Sequence, residues 1–198
     1  MYVSHKKLGM HSAQSDIDQR IAAHLKQRRL ASGLSLADLA ERSGVSRAMI
    51  SKVERSAASP TAALLGRLCN GLGVTLSSLI ANAEQTASPL VRARDQTRWQ
   101  DPVTGLTRTM ISPALPDSAV EIVRIDLPVE SSVSYDPQRY LHYEQQVVPI
   151  RGRLHLSVGD KEYELGPWDC LSMPTNLPLC FHNRGPVSCR YLVIVRKT

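Results

Sequence analysis

The chain has 198 residues, with 24 Lys+Arg against 18 Asp+Glu and a formal charge of +6. At 42% hydrophobic and 21% charged residues the composition excludes a disordered or fibrous chain, and the length is ample for one large core or two small ones. No apolar run reaches the ~18–20 residues of a membrane span, the N-terminal stretch lacks a signal-peptide core, and Cys69, Cys170, Cys180 and Cys189 form no C-x-x-C pair or disulfide framework, so the expected setting is a reducing cytoplasm.

The positive excess is local. Residues 1–82 hold 11 Lys+Arg and 5 Asp+Glu, whereas residues 83–198 hold 13 of each. Composition shifts at the same point: Pro60 is the only proline before residue 88, and only Tyr2 among the aromatic residues precedes residue 98. A basic, Ala/Leu/Ser-rich half followed by a neutral half rich in Pro, Val and aromatics predicts two domains. The expected partition is a disordered extension over 1–14, a helical domain over 15–82, a linker over 83–97 and a β domain over 98–198.

In the basic half, Ser15 with Asp16 and Asp18 reads as an N-cap with acids in the first turn. Ile17, Ile21, His24 or Leu25, and Arg28 follow at helical spacing, and Gly33 ends the helix. Ser35 caps a short helix, with Asp38 at the capping-box position. After the turn Ser43-Gly44-Val45, Ser46 caps a second short helix carrying Ile50 and Val53. Ser59-Pro60 is expected to open a fourth helix with proline at its first position, and Thr75 caps a fifth. Ala40 is small where two helices cross, and Gly44 sits in the turn, where positive φ is cheap for glycine.

Cap, small residue, turn glycine and the apolar positions Leu39, Val45, Ile50 and Val53 together resemble the helix-turn-helix of the phage-repressor type, the XRE family, over residues 16–81. The resemblance implies that the helix from Ser46 lies in the major groove of double-stranded operator DNA. Ile50 and Val53 then face inward, leaving Arg47, Ala48, Ser51 and Lys52 outward. Arg47 is the candidate for a bidentate contact to guanine, and Ala48 for a thymine methyl. Lys52 and Arg55 are expected to reach bases or phosphates. Ser35, Ser46 and Thr61 lie near helix N-termini suited to phosphate oxygens. Arg28, Arg29 and Arg42 are further candidate phosphate partners. Such domains act as dimers on half-sites about one helical turn apart.

Residues 83–89, Ala-Glu-Gln-Thr-Ala-Ser-Pro, read as a linker. Beyond Arg98 the period changes to two: Val120–Leu127, Leu154–Val158, Lys161–Leu165 and Tyr191–Val195 read as strands, with Gly159-Asp160 a tight turn. Many short strands with regular turns predict a small β-barrel or jelly roll.

The stretches 144–160 and 166–183 resemble the two motifs of the cupin family, with the Gly152 turn, Gly159-Asp160, Gly166 through Asp169, Pro174, Pro178 and Asn183 in place. The fold class expected is therefore multi-domain: a five-helix repressor-type domain followed by a cupin barrel. A metal cupin supplies two histidines and a glutamate from the first motif and a histidine from the second. Here the glutamate position is Gln145, the second-motif histidine position is Leu179, and His142 and Glu144 stand one residue out of place. No metal, cofactor or catalytic residue is therefore expected. The resemblance instead nominates Tyr140, His142, Glu144, Gln145, Leu179 and Phe181, with Arg139 beside them, as the lining of a small-molecule pocket. Cys170, Cys180 and Cys189 are expected in strands, as buried thiols.

Together these readings predict a non-enzymatic, cytoplasmic, homodimeric transcriptional regulator. Its cupin domain is expected to bind a small effector and to dimerise. The alternative is a mononuclear-iron cupin oxygenase or epoxidase with a vestigial helical domain. Gln145 and Leu179 break the ligand set that this alternative requires.

Overall fold

The computed structural model describes residues 5–80, 88–115, 118–140 and 143–197, with side chains from residue 16 onward. Five helices come first: α1 (His5–Ala31), α2 (Leu36–Ser43), α3 (Arg47–Glu54), α4 (Ala62–Leu72) and α5 (Leu76–Ile80). The caps read from the sequence set three of the starts. Ser35 Oγ accepts the Asp38 N–H while Asp38 returns a carboxylate to the Ser35 N–H, Ser46 Oγ accepts from Met49, and Thr75 Oγ1 accepts from Ser78. Gly44 ends α2 at φ 66°, a left-handed turn that aims α3 across α2.

Two helix starts differ from expectation. α1 begins at His5, so residues 5–14 continue the helix and Ser15 is interior to it, since no proline separates His5 from Ser15. α4 begins at Ala62 with Thr61 as its cap, because Thr61 Oγ1 can accept the Leu64 N–H and Pro60 is left outside the helix. Of the expected linker, residues 83–87 lie outside the described residues, and Ala93–Asp95 form one 3-10 turn.

Ten strands follow: β1 (Arg98–Gln100), β2 (Thr107–Met110), β3 (Val120–Leu127), β4 (Ser132–Tyr135), β5 (Tyr143–Arg151), β6 (Leu154–Val158), β7 (Lys161–Leu165), β8 (Leu171–Met173), β9 (Leu179–His182) and β10 (Cys189–Lys197). They form two antiparallel sheets, β1-β2-β3-β10-β5-β8 and β4-β9-β6-β7, the two walls of a cupin-type barrel. Strict alternation of burial in β3, β6 and β10 sends Val123, Ile125, Leu156 and Val193 inward. His155 points away from Leu154 and Leu156, as the period demands. Inside, Phe181 stacks on Tyr191 at 5.6 Å and meets Tyr135 edge-on at 6.0 Å. Asn183, fully buried, gives its amide N–H groups to the carbonyls of Leu127, Pro128 and Val187 and accepts from Gly185, tying two turns together. Cys189 is buried in β10 and Cys180 half-buried in β9, but Cys170 is exposed just before β8 and belongs to no strand.

The helices and the barrel share one apolar core. Polar contacts fix the seam. Asp101, 2% exposed, accepts the Ala62 N–H at the start of α4 at 2.5 Å, and its other oxygen accepts from Val103 and Thr104. Thr75 bonds Glu121 on β3, and Asn70 bonds the backbone of Pro137, Arg139 and Tyr140. Gly66 lets the Tyr135 ring lie directly on α4, since a Cβ there would sit 2.9 Å from the ring.

Candidate functional site

Two candidate sites involve the helical unit, one on α3 and one at α4 and α5. The first is the outer face of α3. Ile50 and Val53 are buried behind it, and Arg47, Ala48 and Lys52 are exposed, with Ser51 half-buried between them. Arg55 is exposed, and its Nε also donates to the Ser51 carbonyl at the helix end. Arg28, Ser35 and Ser46 are exposed as well. Asp38 stands beside Ser35, its carboxyl held below the usual range by hydrogen bonds from the Ser35 side chain and backbone.

Three expected phosphate partners are placed elsewhere. Arg29 is buried, with Nε 2.6 Å and Nη2 2.9 Å from the two Glu54 carboxylate oxygens and Nη1 donating to the Leu34 carbonyl. The hydrogen bond to Glu54 raises the Arg29 pKa, and the pair pins α3 to α1. Arg42 turns to the barrel: its guanidinium lies 4.4 Å from the centroid of the Tyr140 ring, with Nε buried and unbonded. Thr61 caps α4, but the Asp101 carboxylate already fills that N-terminus, so a phosphate there would meet a like charge. The sequence could not show these docking contacts, which depend on where the barrel sits.

The second site is a cavity of about 60 Å³ between the barrel and the α4–α5 junction. Its floor is the barrel interior, including Gln145, Leu179 and Phe181, which the sequence nominated. Its roof is helical: Gly66, Cys69, Val74, Thr75, Leu76 and Ser77. Tyr140 does not line it, being drawn out to stack under Arg42, and Arg139 is exposed. Glu144 is also outside, exposed and paired with Arg196 at 2.8 Å, which holds its carboxyl below the ordinary range. Glu144 and Gln145 are adjacent on β5, so both cannot face inward; the inward set is Tyr143, Gln145 and Val147. His142 lies outside the described residues.

Sequence reasoning missed Arg108, Tyr135, Gln138, Tyr143 and Tyr191 in this lining. Parity along β2 places Arg108 on the same face as Met110 and the preceding Leu106, but Thr109 on the other face is buried as well, so alternation alone did not single it out. Burial pushes the Tyr143 hydroxyl up to about 12 and raises those of Tyr135 and Tyr191, while the charge of Arg108 works against each shift. All three therefore remain neutral hydroxyls near neutral pH. The positions that a metal cupin fills with glutamate and histidine are here Gln145 and Leu179 in the pocket wall. Among the described residues no three His, Cys, Asp or Glu stand close enough to share a metal ion.

Comparison with known proteins bears on both halves. A family model described as Helix-turn-helix matches residues 25–79, the span from α1 into α5. The HTH-type transcriptional regulator SutR of Escherichia coli (strain K12) is 32% identical over 152 residues, covering 77% of each chain. The chain belongs to the HTH-type transcriptional regulators. A second such regulator, PuuR of Escherichia coli (strain K12), is 22% identical over 174 residues, covering 85% of this chain and 90% of its own. The solved structure of an HTH_3 family transcriptional regulator from Vibrio cholerae superposes with TM-score 0.78 at 23% identity, over 93% of this chain and 99% of that one. The whole arrangement, helices followed by barrel, is thus a fold shared with a regulator of this type. Among the described residues no helix is long and apolar enough to cross a membrane.

Proposed function

We propose that this regulator binds operator DNA sequence-specifically as a homodimer, that its barrel pocket takes a small-molecule effector, and that it is not an enzyme. The observation that carries the reading is the division of labour within one helical unit. The outer face of α3 is free of the barrel, whereas α4 and α5 roof the barrel cavity. Arg47 is the residue for a guanine edge and Ala48 for a thymine methyl, with Ser51 and Lys52 beside them. Arg28, Ser35, Ser46 and Arg55 are the backbone-contacting set. One such head covers only a few base pairs, so two heads on half-sites one helical turn apart supply useful affinity. The chain acts where the DNA is, in the cytoplasm.

The test is fluorescence anisotropy with genomic fragments retained by the full-length protein, repeated across salt concentrations, beside sedimentation of the protein–DNA complex. Counterion release makes affinity fall steeply with salt, and the complex holds two chains. A flat salt response, or one chain per site, refutes the reading.

A further inference from the structure

Arg108 is anomalous. It projects from β2 into the cavity, is 8% exposed, and among the described residues only its Nη2 finds a hydrogen-bond partner, Ser77 Oγ at 3.1 Å. Its Nε is buried with no hydrogen bond, and no ion pair to Arg108 occurs among the described residues. The buried carboxylate of Glu121 is turned to Thr75 and Lys197 instead. An unpaired guanidinium inside a protein is costly, and a bound anion is what removes that cost.

Size and lining narrow the anion. At ~10–15 Å³ per water-sized occupant, a cavity of about 60 Å³ has room for at least a few non-hydrogen atoms. On Arg108's own sheet the cavity is flanked by Ile125 and Val193, and the facing sheet contributes Leu179 and Phe181, so much of the lining is apolar beside the polar Gln138 and Gln145. That suits a short carbon tail, whereas sulfate or phosphate would press oxygen atoms on those walls. The hydroxyls of Tyr135 and Tyr143, neutral near pH 7, are available to a second carboxylate oxygen.

We propose that the pocket binds a small carboxylate, with Arg108 as its anchor. This rests on the proposed reading of the barrel cavity as the effector site and adds the chemical class of the occupant. The carboxylate competes with Ser77 for the guanidinium, so occupancy alters a bond between the barrel and α5 of the DNA-binding unit.

The experiment is isothermal titration of the full-length protein at constant ionic strength with sodium acetate, propionate and pyruvate, beside acetamide and sodium sulfate. Expected is saturable binding of at least one carboxylate at one site per chain, with acetamide, the neutral counterpart of acetate, giving none. Arg108→Gln weakens that binding by about tenfold to a hundredfold, and Ser77→Ala retains it. If Arg108→Gln fails to fold, the acetate–acetamide comparison on the unaltered protein decides. Acetamide binding as well as acetate, sulfate binding in place of the carboxylates, undiminished binding to a folded Arg108→Gln, or no binding of any carboxylate each overturns the proposal. Operator affinity measured with the same probes separates the two readings. Carboxylate binding that leaves DNA affinity unchanged keeps the anion site and refutes the effector role. Altered DNA affinity with a neutral probe does the reverse.

Discussion

Replacing Glu54 by glutamine tests whether the recognition helix is pinned from behind. Glu54 is the last residue of α3, and both of its oxygens receive Arg29, with the two side chains 9% and 6% exposed. Glutamine keeps the shape, removes the charge and turns an amide donor toward a donor. The Arg29 guanidinium then stays buried with no counter-charge, its acceptors reduced to the Leu34 carbonyl and the single glutamine oxygen. Breaking a buried pair at one partner costs about 3–5 kcal/mol, against about 0–1 kcal/mol for an exposed pair. In a chain of this length about 1 kcal/mol moves the melting temperature by ~2–4 °C, so the expected fall is roughly 6–20 °C by calorimetry. DNA affinity falls as well, since α3 loses its tie to α1. The double variant Arg29→Met, Glu54→Leu removes both charges and recovers most of the loss. A fall of less than about 3 °C for Glu54→Gln, or no recovery in the double variant, refutes the reasoning.

Arg47→Ala is expected to cost about 1–3 kcal/mol only on operators that carry the contacted guanine. Lys52→Ala weakens all sequences alike and lowers the salt slope by about one; anisotropy titrations at several salt concentrations distinguish the two. Asp101→Ala strips the acceptor from the Ala62, Val103 and Thr104 N–H groups, at about 1–3 kcal/mol for each donor left buried and unbonded. Hydrogen exchange at Ala62 should accelerate ahead of exchange within the barrel strands. The stability of the chain should fall as pH rises from about 9 to about 12. Burial lifts the Cys69 thiol from 9.0 and the Tyr143 hydroxyl from 10.0, each to about 12. In that window the unfolded chain has lost protons that the folded one keeps, so ionisation favours unfolding. Circular dichroism melts across that range check the sign, and a stability that rises toward pH 11 contradicts it.

What was legible in the sequence was local. Ser35 with Asp38, Ser46, Thr75 and Gly44 act on backbone within a few residues of themselves, and each does in the structure what its position implies. The alternating strands were equally readable, because a period of two needs no partner to be seen. What failed depended on the seam. Thr61 and Arg42 look like DNA-facing groups until Asp101 and Tyr140, 40 and 98 positions later in the chain, occupy them. The pocket suffered from a different cause. Motif likeness brought in Tyr140 and Glu144 by proximity along the chain, whereas parity along β5 selects Gln145, and Arg108 comes in from β2, which neither motif includes.

The seam also bounds how strongly an occupant of the cavity can act on DNA binding. A ligand shifts the regulator only by its unequal affinity for two arrangements of head and barrel. Among the described residues the Arg108–Ser77 bond is the seam contact made by the proposed anchor itself, while Thr75, bonded to Glu121, lines the same cavity. The Asp101 clamp on Ala62, the three Asn70 bonds, the Thr75–Glu121 pair and the Arg42–Tyr140 stack involve groups other than Arg108. Exchanging one charge-assisted hydrogen bond is worth about 1.5–3 kcal/mol, so exchange of this bond alone can change operator affinity by at most roughly a hundredfold per chain. Regulation beyond that size requires a second seam contact to break. Asp101→Ala and Asn70→Ala variants then separate the cases. If the head moves as a unit on release of Arg108 alone, both variants leave the ligand-induced ratio of DNA affinities unchanged. If the clamp must open as well, loosening it beforehand shrinks that ratio toward one.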